Sequence, residues 1–137
     1  MYLLDTNILS ELIKKRPNAN LIKRLAAAEK QSLCTSCICA MELRHGSALR
    51  ADFEKFWQRV AREILGRVRV ISLGYEEMII AGDILAQLKK SGLPIGIEDV
   101  LIAATAISHR LVVIAGNTRH FGQVQGLLVE NWLIPNP

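Results

Sequence analysis

Three carboxylates stand in otherwise apolar segments of this sequence. Asp5 follows M-Y-L-L, Glu42 lies within I-C-A-M-E-L, and Asp99 begins D-V-L-I-A-A-T-A. An ionised carboxylate removed from water is costly unless a cation or hydrogen bonds compensate it. Basic partners are sparse, because Arg44 lies roughly 200° around a helix from Glu42 and Asp99 has no Lys or Arg within eight positions. The three acids therefore point to a site for a hard cation.

Oxygen ligands of this kind suit Mg²⁺ or Mn²⁺, which retain water and bind through a few carboxylates and substrate phosphate oxygens. Such an ion lowers the pKa of a bound water for phosphodiester hydrolysis, and a second ion can stabilise the leaving oxygen. Each acid also has a simpler interpretation. Asp5 and Asp99 can cap helices, and Glu42 can pair with a distant Arg. The residues alone leave both interpretations open.

The composition excludes several classes of protein. The 137 residues carry 17 Lys and Arg against 13 Asp and Glu, and half of them are hydrophobic, which excludes intrinsic disorder. No apolar run approaches the ~20 residues of a membrane span, and the early Asp5 argues against a signal peptide, so we expect a cytoplasmic protein that binds no membrane. Cys34, Cys37 and Cys39 have no second ligand cluster at zinc-finger spacing, so we expect free thiols.

Short apolar runs alternate with longer segments of helical periodicity. This order predicts an α/β fold, because parallel strands need crossover connections that place helices on both faces of a sheet. Ligands of such folds bind beyond the C-terminal ends of the strands, where Asp5 lies. The predicted strands are residues 1–4, 32–35, 67–73, 111–115 and a short edge strand at 127–130; the predicted helices run from Thr6 or Asn7 to about 15, and over 19–30, 37–45 ending at Gly46, 53–64, 74–88 and 99–108.

Four sequence blocks, in this order, resemble the PIN-domain toxins of VapC type. They are L-D-T-N-I-L-S-E-L at 4–12, M-E-L-R-H-G at 41–46, G-I-E-D-V-L-I-A-A-T-A at 96–106, and G-N-T-R-H-F at 116–121 with a downstream V-E-N-W at 129–132. The resemblance implies a single PIN domain over residues 1–137, folded as a three-layer α/β/α sandwich with a short, mostly parallel central sheet. It also implies a Mg²⁺- or Mn²⁺-dependent endoribonuclease that hydrolyses tRNA, rRNA or mRNA.

Carried over residue by residue, the three acids of the family fall on Asp5, Glu42 and Asp99, as catalytic and metal-binding residues. The sequence departs from the family at its fourth acidic position, because the block A-G-N-T-R-H-F at 115–121 contains no Asp or Glu. Thr6 and Asn7, beside Asp5, are expected to support that acid by hydrogen bonding. Asn117 and His120 are the neutral candidates in the block that lacks the fourth acid.

Charge is distributed unevenly along the chain. Residues 14–30 carry six basic residues and one acidic residue, and residues 44–69 carry seven basic and three acidic residues. Residues 76–99 carry two basic and five acidic residues. If the basic segments flank the acids, they would contact RNA phosphates on either side of the scissile bond. Arg44, Lys14 and Lys15 are the candidate substrate-binding residues; the alternative is an ordinary solvated helix face.

The resemblance also implies protein partners. These are a cognate VapB-like antitoxin, a second copy of this chain in a homodimer, and a larger complex that contacts operator DNA only through the antitoxin. An apolar antitoxin helix would bind between the first two helices, a common recognition mode.

Two other functions remain possible at this point. The missing fourth acid favours a catalytically weak PIN-like binding module that acts mainly in an operator-binding antitoxin complex. A haloacid-type phosphatase also ends its first strand on Asp, but it needs a second acid two residues later, where this chain has Asn7.

Three carboxylates supply less negative charge than two divalent ions require. We therefore predict that one ion binds the RNA-free protein stably and that a second enters only with RNA, whose phosphate completes the neutralisation. Calorimetric titration with Mg²⁺ measures this directly, and two equally tight sites in the absence of RNA would contradict it.

Overall fold

Five parallel strands form the central layer of the computed structural model, which describes residues 1–135. The strands lie in the order β3-β2-β1-β4-β5, and every neighbouring pair is parallel. The last two residues of the expected domain, 136–137, lie outside the described residues. The strands are β1 (Tyr2–Leu4), β2 (Leu33–Ser36), β3 (Arg69–Ile71), β4 (Val112–Ile114) and β5 (Val129–Glu130).

Helices flank this sheet and confirm the predicted α/β/α sandwich. The helices are α1 (Thr6–Glu11), α2 (Ala19–Ala27), α3 (Cys37–Ala48), α4 (Phe53–Glu63), α5 (Tyr75–Ser91), α6 (Ile97–His109) and α7 (Thr118–Phe121), with 3₁₀ turns at Lys30–Ser32 and Leu65–Arg67. Within residues 1–135, no helix combines the length and apolar character that crossing a membrane requires.

The central strands and α6 form the core. In β1 and β4, Leu3, Leu4, Val113 and Ile114 are fully buried, and α6 buries most of the run from Val100 to Ala106. A parallel sheet covered on both faces buries its central strands completely, so their sequences are continuously apolar rather than alternating. This packing explains why β1 and β4 were recognisable in the sequence.

Several predicted helix ends are wrong, since α2 ends at Ala27 and not near residue 30, and α5 continues past residue 88 to Ser91. The ends of α3 and α1 have a clear physical cause. Helix α3 does not stop at Gly46 but continues to Ala48. Ser47 is buried, and its hydroxyl donates to the Leu43 carbonyl at 2.7 Å. This burial outweighs the ~1 kcal/mol penalty of a glycine within a helix. Helix α1 ends at Glu11 and not near residue 15. There the Glu11 carboxylate accepts the backbone N–H of Asn18 at 3.0 Å and fixes the intervening turn.

One buried carboxylate joins the start of α5 to the end of α6. Glu77 Oε2 accepts the Gly74 backbone N–H at 3.0 Å, and Oε1 lies 2.9 Å from His109 Nε2. Hydrogen bonds from its own backbone amide, from His109 and from Gly74 lower the pKa of the Glu77 carboxyl below its ordinary value. These contacts give Glu77 a structural role, in which it stabilises the packing of α5 against α6.

We predict that Glu77→Ala lowers the free energy of unfolding by about 1–3 kcal/mol at neutral pH, because buried hydrogen bonds are lost. The exposed neighbour Glu76 provides the control, and Glu76→Ala should change it by less than about 0.5 kcal/mol. A lowered pKa stabilises the fold above the ordinary value of 4.5, so the Glu77 effect should shrink as the pH falls below 4.5. Urea denaturation of the three proteins tests this, and equal midpoints would refute it.

Candidate active site

The three acids singled out from the sequence lie at the same edge of the sheet. Asp5 directly follows β1, and Glu42 lies in the second turn of α3, which directly follows the neighbouring strand β2. Asp99 lies in the first turn of α6. Helix α6 leads into β4 and therefore begins at the carboxyl edge, where parallel strands collect functional groups.

Asp5 is buried without a compensating cation. Its residue is 9% exposed, and no Lys, Arg or His in residues 1–135 forms an ion pair with it. Burial, with smaller contributions from the negative charges of Asp99 and Glu42, raises the pKa of its carboxyl from 3.8 to about 6. The three carboxylates therefore share one electrostatic environment.

The acids are not drawn together into a finished metal site. Across residues 1–135, no group of three or more His, Cys, Asp or Glu side chains is arranged so that it could hold an ion. The donor set nevertheless fits a hard divalent cation: several carboxylate oxygens, one of them buried and unpaired.

Thr6 supports the site through Glu42 rather than through Asp5 alone. Its hydroxyl Oγ1 donates to Glu42 Oε1 at 2.8 Å, which ties α1 to α3. Its backbone N–H, close to the Asp5 carboxyl, lowers the pKa of that group and partly offsets the effect of burial. Asn7 is exposed, and its side chain makes no hydrogen bond within the described chain.

The two candidates at the missing fourth acid occupy different places. Asn117 caps α7, because its side-chain oxygen accepts the Arg119 backbone N–H at 3.3 Å. His120, in contrast, places Nδ1 3.2 Å from Asp99 Oδ2. Of these two candidates, only His120 contacts one of the three acids through its side chain.

The candidate substrate-binding residues contact other groups. The Arg44 guanidinium lies 4.5 Å from the centre of the Phe53 ring and 4.9 Å from that of Trp57. Lys14 Nζ lies 2.7 Å from Glu11 Oε2. Lys15 is exposed and forms no ion pair with another described residue.

A cavity of about 300 Å³ opens beside Glu42, between α1, α3 and α4. Thr6 and Glu42 form its polar wall, and the side chains of α4 form an apolar wall. The remaining lining residues are Ser10, Ile13, Leu43, Gly46, Ser47, Arg50, Phe56, Val60 and Ile64.

Comparison with known proteins agrees with this geometry. The family model described as PIN domain matches residues 2–127. Ribonuclease VapC2 of Haemophilus influenzae is 35% identical over 132 residues, which cover 96% of this chain and 98% of that protein. The chain belongs to the PIN-domain VapC family.

Two further VapC-related proteins match over nearly the whole chain. The tRNA(fMet)-specific endonuclease VapC of Shigella flexneri is 30% identical over 131 residues, covering 96% of this chain and 97% of that protein. The crystal structure of DNA-bound VapBC from Salmonella typhimurium contains a chain that superposes on this one with a TM-score of 0.87 and is 32% identical to it. The match covers 96% of this chain and 97% of that chain.

Sequence reasoning missed two buried residues that shape this PIN-domain site. Thr35 lies within β2, and its hydroxyl donates to the Leu4 carbonyl at 2.7 Å, which fixes β1 immediately before Asp5. Cys39 is fully buried beside Thr6 and Asp5, and burial raises the pKa of its thiol to about 11, so it stays neutral. A polar residue within a buried strand was the available signal for Thr35; the sequence predicted a free thiol at Cys39 but not its position beside Asp5.

We predict that Asp5→Asn stabilises the metal-free form of this VapC-family protein. Above pH 6 the ionised Asp5 opposes folding, because its folded pKa of about 6 exceeds its ordinary value of 3.8. Removing the charge should raise the free energy of unfolding by about 2–3 kcal/mol at pH near 8. The gain should disappear below 3.8, where Asp5 is protonated in both states.

Urea denaturation in the presence of a chelator measures this difference, with Asp83→Asn as the control. Asp83 is exposed on α5 and forms no ion pair within residues 1–135, so its replacement should leave the midpoint unchanged. A destabilised Asp5→Asn variant at the higher pH would mean that the carboxylate is paired in the folded protein.

Proposed function

We propose that this chain is the toxin of a type II toxin-antitoxin pair, a divalent-metal-dependent endoribonuclease that hydrolyses RNA phosphodiester bonds. The observation that carries the proposal is the unpaired, buried Asp5 beside Glu42 and Asp99, in a chain of the VapC family. A fold keeps an uncompensated carboxylate at a cost in stability, and such groups concentrate at functional sites.

Asp5, Glu42 and Asp99 would hold Mg²⁺ or Mn²⁺. When bound, the ion supplies an activated water as nucleophile and withdraws charge from the scissile phosphate. Thr6 holds one Glu42 oxygen through its hydroxyl and leaves the other oxygen free for the ion. Because Asp5 is buried, its carboxylate loses little further hydration on binding, which strengthens its attraction for a cation.

RNA is the proposed substrate, drawn from tRNA, rRNA or mRNA. The Shigella flexneri relative is named for tRNA(fMet), which favours a structured RNA for this chain as well. The cavity beside Glu42 leaves room for a nucleotide next to the acids. Arg44, Lys14 and Lys15 would contact phosphates farther along the strand, although their present contacts also suit a structural role.

Two apolar surfaces support the proposed protein partners. A cavity of about 280 Å³ reaches Leu12, Ile22 and Leu25 of the α1–α2 region, and Ile22 is exposed; an antitoxin helix would bind there. Helix α5 exposes apolar side chains at helical spacing, which suits a second copy of this chain: Tyr75, Met78, Ile79 and Leu85. Operator DNA would be contacted only through the antitoxin, as a DNA-bound VapBC complex has been described for Salmonella typhimurium.

The same proposal includes that residues 1–137 form a single PIN domain and that the protein acts in the cytoplasm. The alternative, a catalytically weak binding module within an operator-binding complex, is favoured by one observation: residues 115–121, where the resemblance to the family implies a further acid, contain no Asp or Glu. Cleavage assays separate the two functions.

We predict that the purified protein cleaves total RNA with Mg²⁺ or Mn²⁺ and leaves 5′-phosphate and 3′-hydroxyl ends, as expected for an attacking water. Asp5→Asn should reduce the rate at least about 100-fold, because a metal ligand is lost. Asp83→Asn, a change of the same type on exposed α5, should cleave at the unaltered rate. Equal cleavage by the Asp5→Asn and unaltered proteins would favour the binding module, whereas 2′,3′-cyclic phosphate ends would contradict an attacking water.

A further inference from the structure

His120 is held at the acids by the way α7 is anchored. Asn117 caps the start of this short helix, and the neighbouring Phe121 is buried in the core at its other end. Between these two anchors His120 faces Asp99, with Nδ1 3.2 Å from Oδ2. The backbone therefore presents an imidazole nitrogen to the carboxylate edge.

The distance between these two atoms suits a shared metal ion. Adjacent ligands of an octahedral ion with bonds of about 2.2 Å are separated by roughly 3.1 Å. The 3.2 Å between His120 Nδ1 and Asp99 Oδ2 matches that separation. Both side chains are partly exposed, at 44% and 29%, so the ring can turn without disturbing the core.

We propose that His120 is a nitrogen ligand of the catalytic ion and makes this site prefer a divalent transition-metal ion over Mg²⁺. The inference rests on the proposed metal-dependent function and specifies which ion it uses. Mg²⁺ binds oxygen ligands almost exclusively, whereas first-row transition ions accept imidazole nitrogen readily. A carboxylate ligand at this position would not make the site prefer a transition-metal ion over Mg²⁺.

Ligation requires the other tautomer of the His120 ring. A carboxylate can only accept a hydrogen bond, so the contact with Asp99 Oδ2 favours the tautomer with its hydrogen on Nδ1. An ion held at Nδ1 would require that hydrogen on Nε2 instead, with the proton exchanged through solvent. His120 thus adds a ligand while the three carboxylates alone supply the negative charge of the site.

The first test compares the affinities for Mn²⁺ and Mg²⁺ by calorimetry near pH 8, where an ordinary histidine is neutral. We expect the unaltered protein to bind Mn²⁺ at least about 10-fold more tightly than Mg²⁺, and His120→Asn to lose most of that preference. The Asn side chain places an amide N–H where Nδ1 lies, so it can keep the hydrogen bond to Asp99 without supplying an imidazole. His120→Glu should strengthen Mg²⁺ binding and remove the preference for Mn²⁺.

The second test observes the bond itself. Electron spin echo spectra of the Mn²⁺-loaded protein should show modulation by a directly bound ¹⁴N nucleus, and His120→Asn should abolish it. His45→Asn is the matched control, because His45 is exposed on α3, and it should keep both the modulation and the affinity ratio. The spectrum of the unaltered protein is decisive even if a variant fails to fold.

The outcomes are distinct. Binding of both ions with RNA cleavage but no nitrogen modulation would overturn this inference and leave the proposed nuclease intact. An unchanged affinity ratio in His120→Asn would assign His120 to positioning Asp99 by hydrogen bonding, and would also overturn it. Failure of both ions to bind the unaltered protein would overturn the metal-dependent function and this inference together.

Discussion

The parallel pairing of β1 with β2 on one side and β4 on the other determines where every candidate catalytic group lies. Asp5 follows β1, the helix that carries Glu42 follows β2, and the short helix that carries His120 follows β4. Residues more than 100 positions apart are therefore brought to one edge by backbone hydrogen bonds. Thr35 reinforces this constraint through its bond to the last residue of β1.

Two buried carboxylates show how the same fold treats a structural acid and a candidate functional acid. Glu77 has hydrogen bonds from Gly74 and His109, and the pKa of its carboxyl is lowered. Asp5 lacks an ion-pair partner among residues 1–135 and lies near two other acids, and the pKa of its carboxyl is raised. Burial alone does not distinguish them; the presence or absence of compensating donors does.

The proposed partners would meet around α1. Its polar side carries Thr6 at the acid edge and borders the cavity between α3 and α4. The segment that follows it contributes Leu12 to the apolar cavity toward α2. An antitoxin helix bound in that second cavity would lie next to the RNA site, so one surface change on α1 could affect both activities.

The sequence by itself determined the α/β class, the apolar central strands and the positions of three acids, because burial on both faces leaves continuous apolar runs in which a carboxylate stands out. It placed the ends of α1 and α3 wrongly, since the turn held by Glu11 and the burial of Ser47 depend on contacts made only after folding. Only the tertiary structure distinguished Asn117, which caps a helix, from His120, which faces Asp99. That distinction depends on which side of α7 meets α6, and local sequence does not encode it.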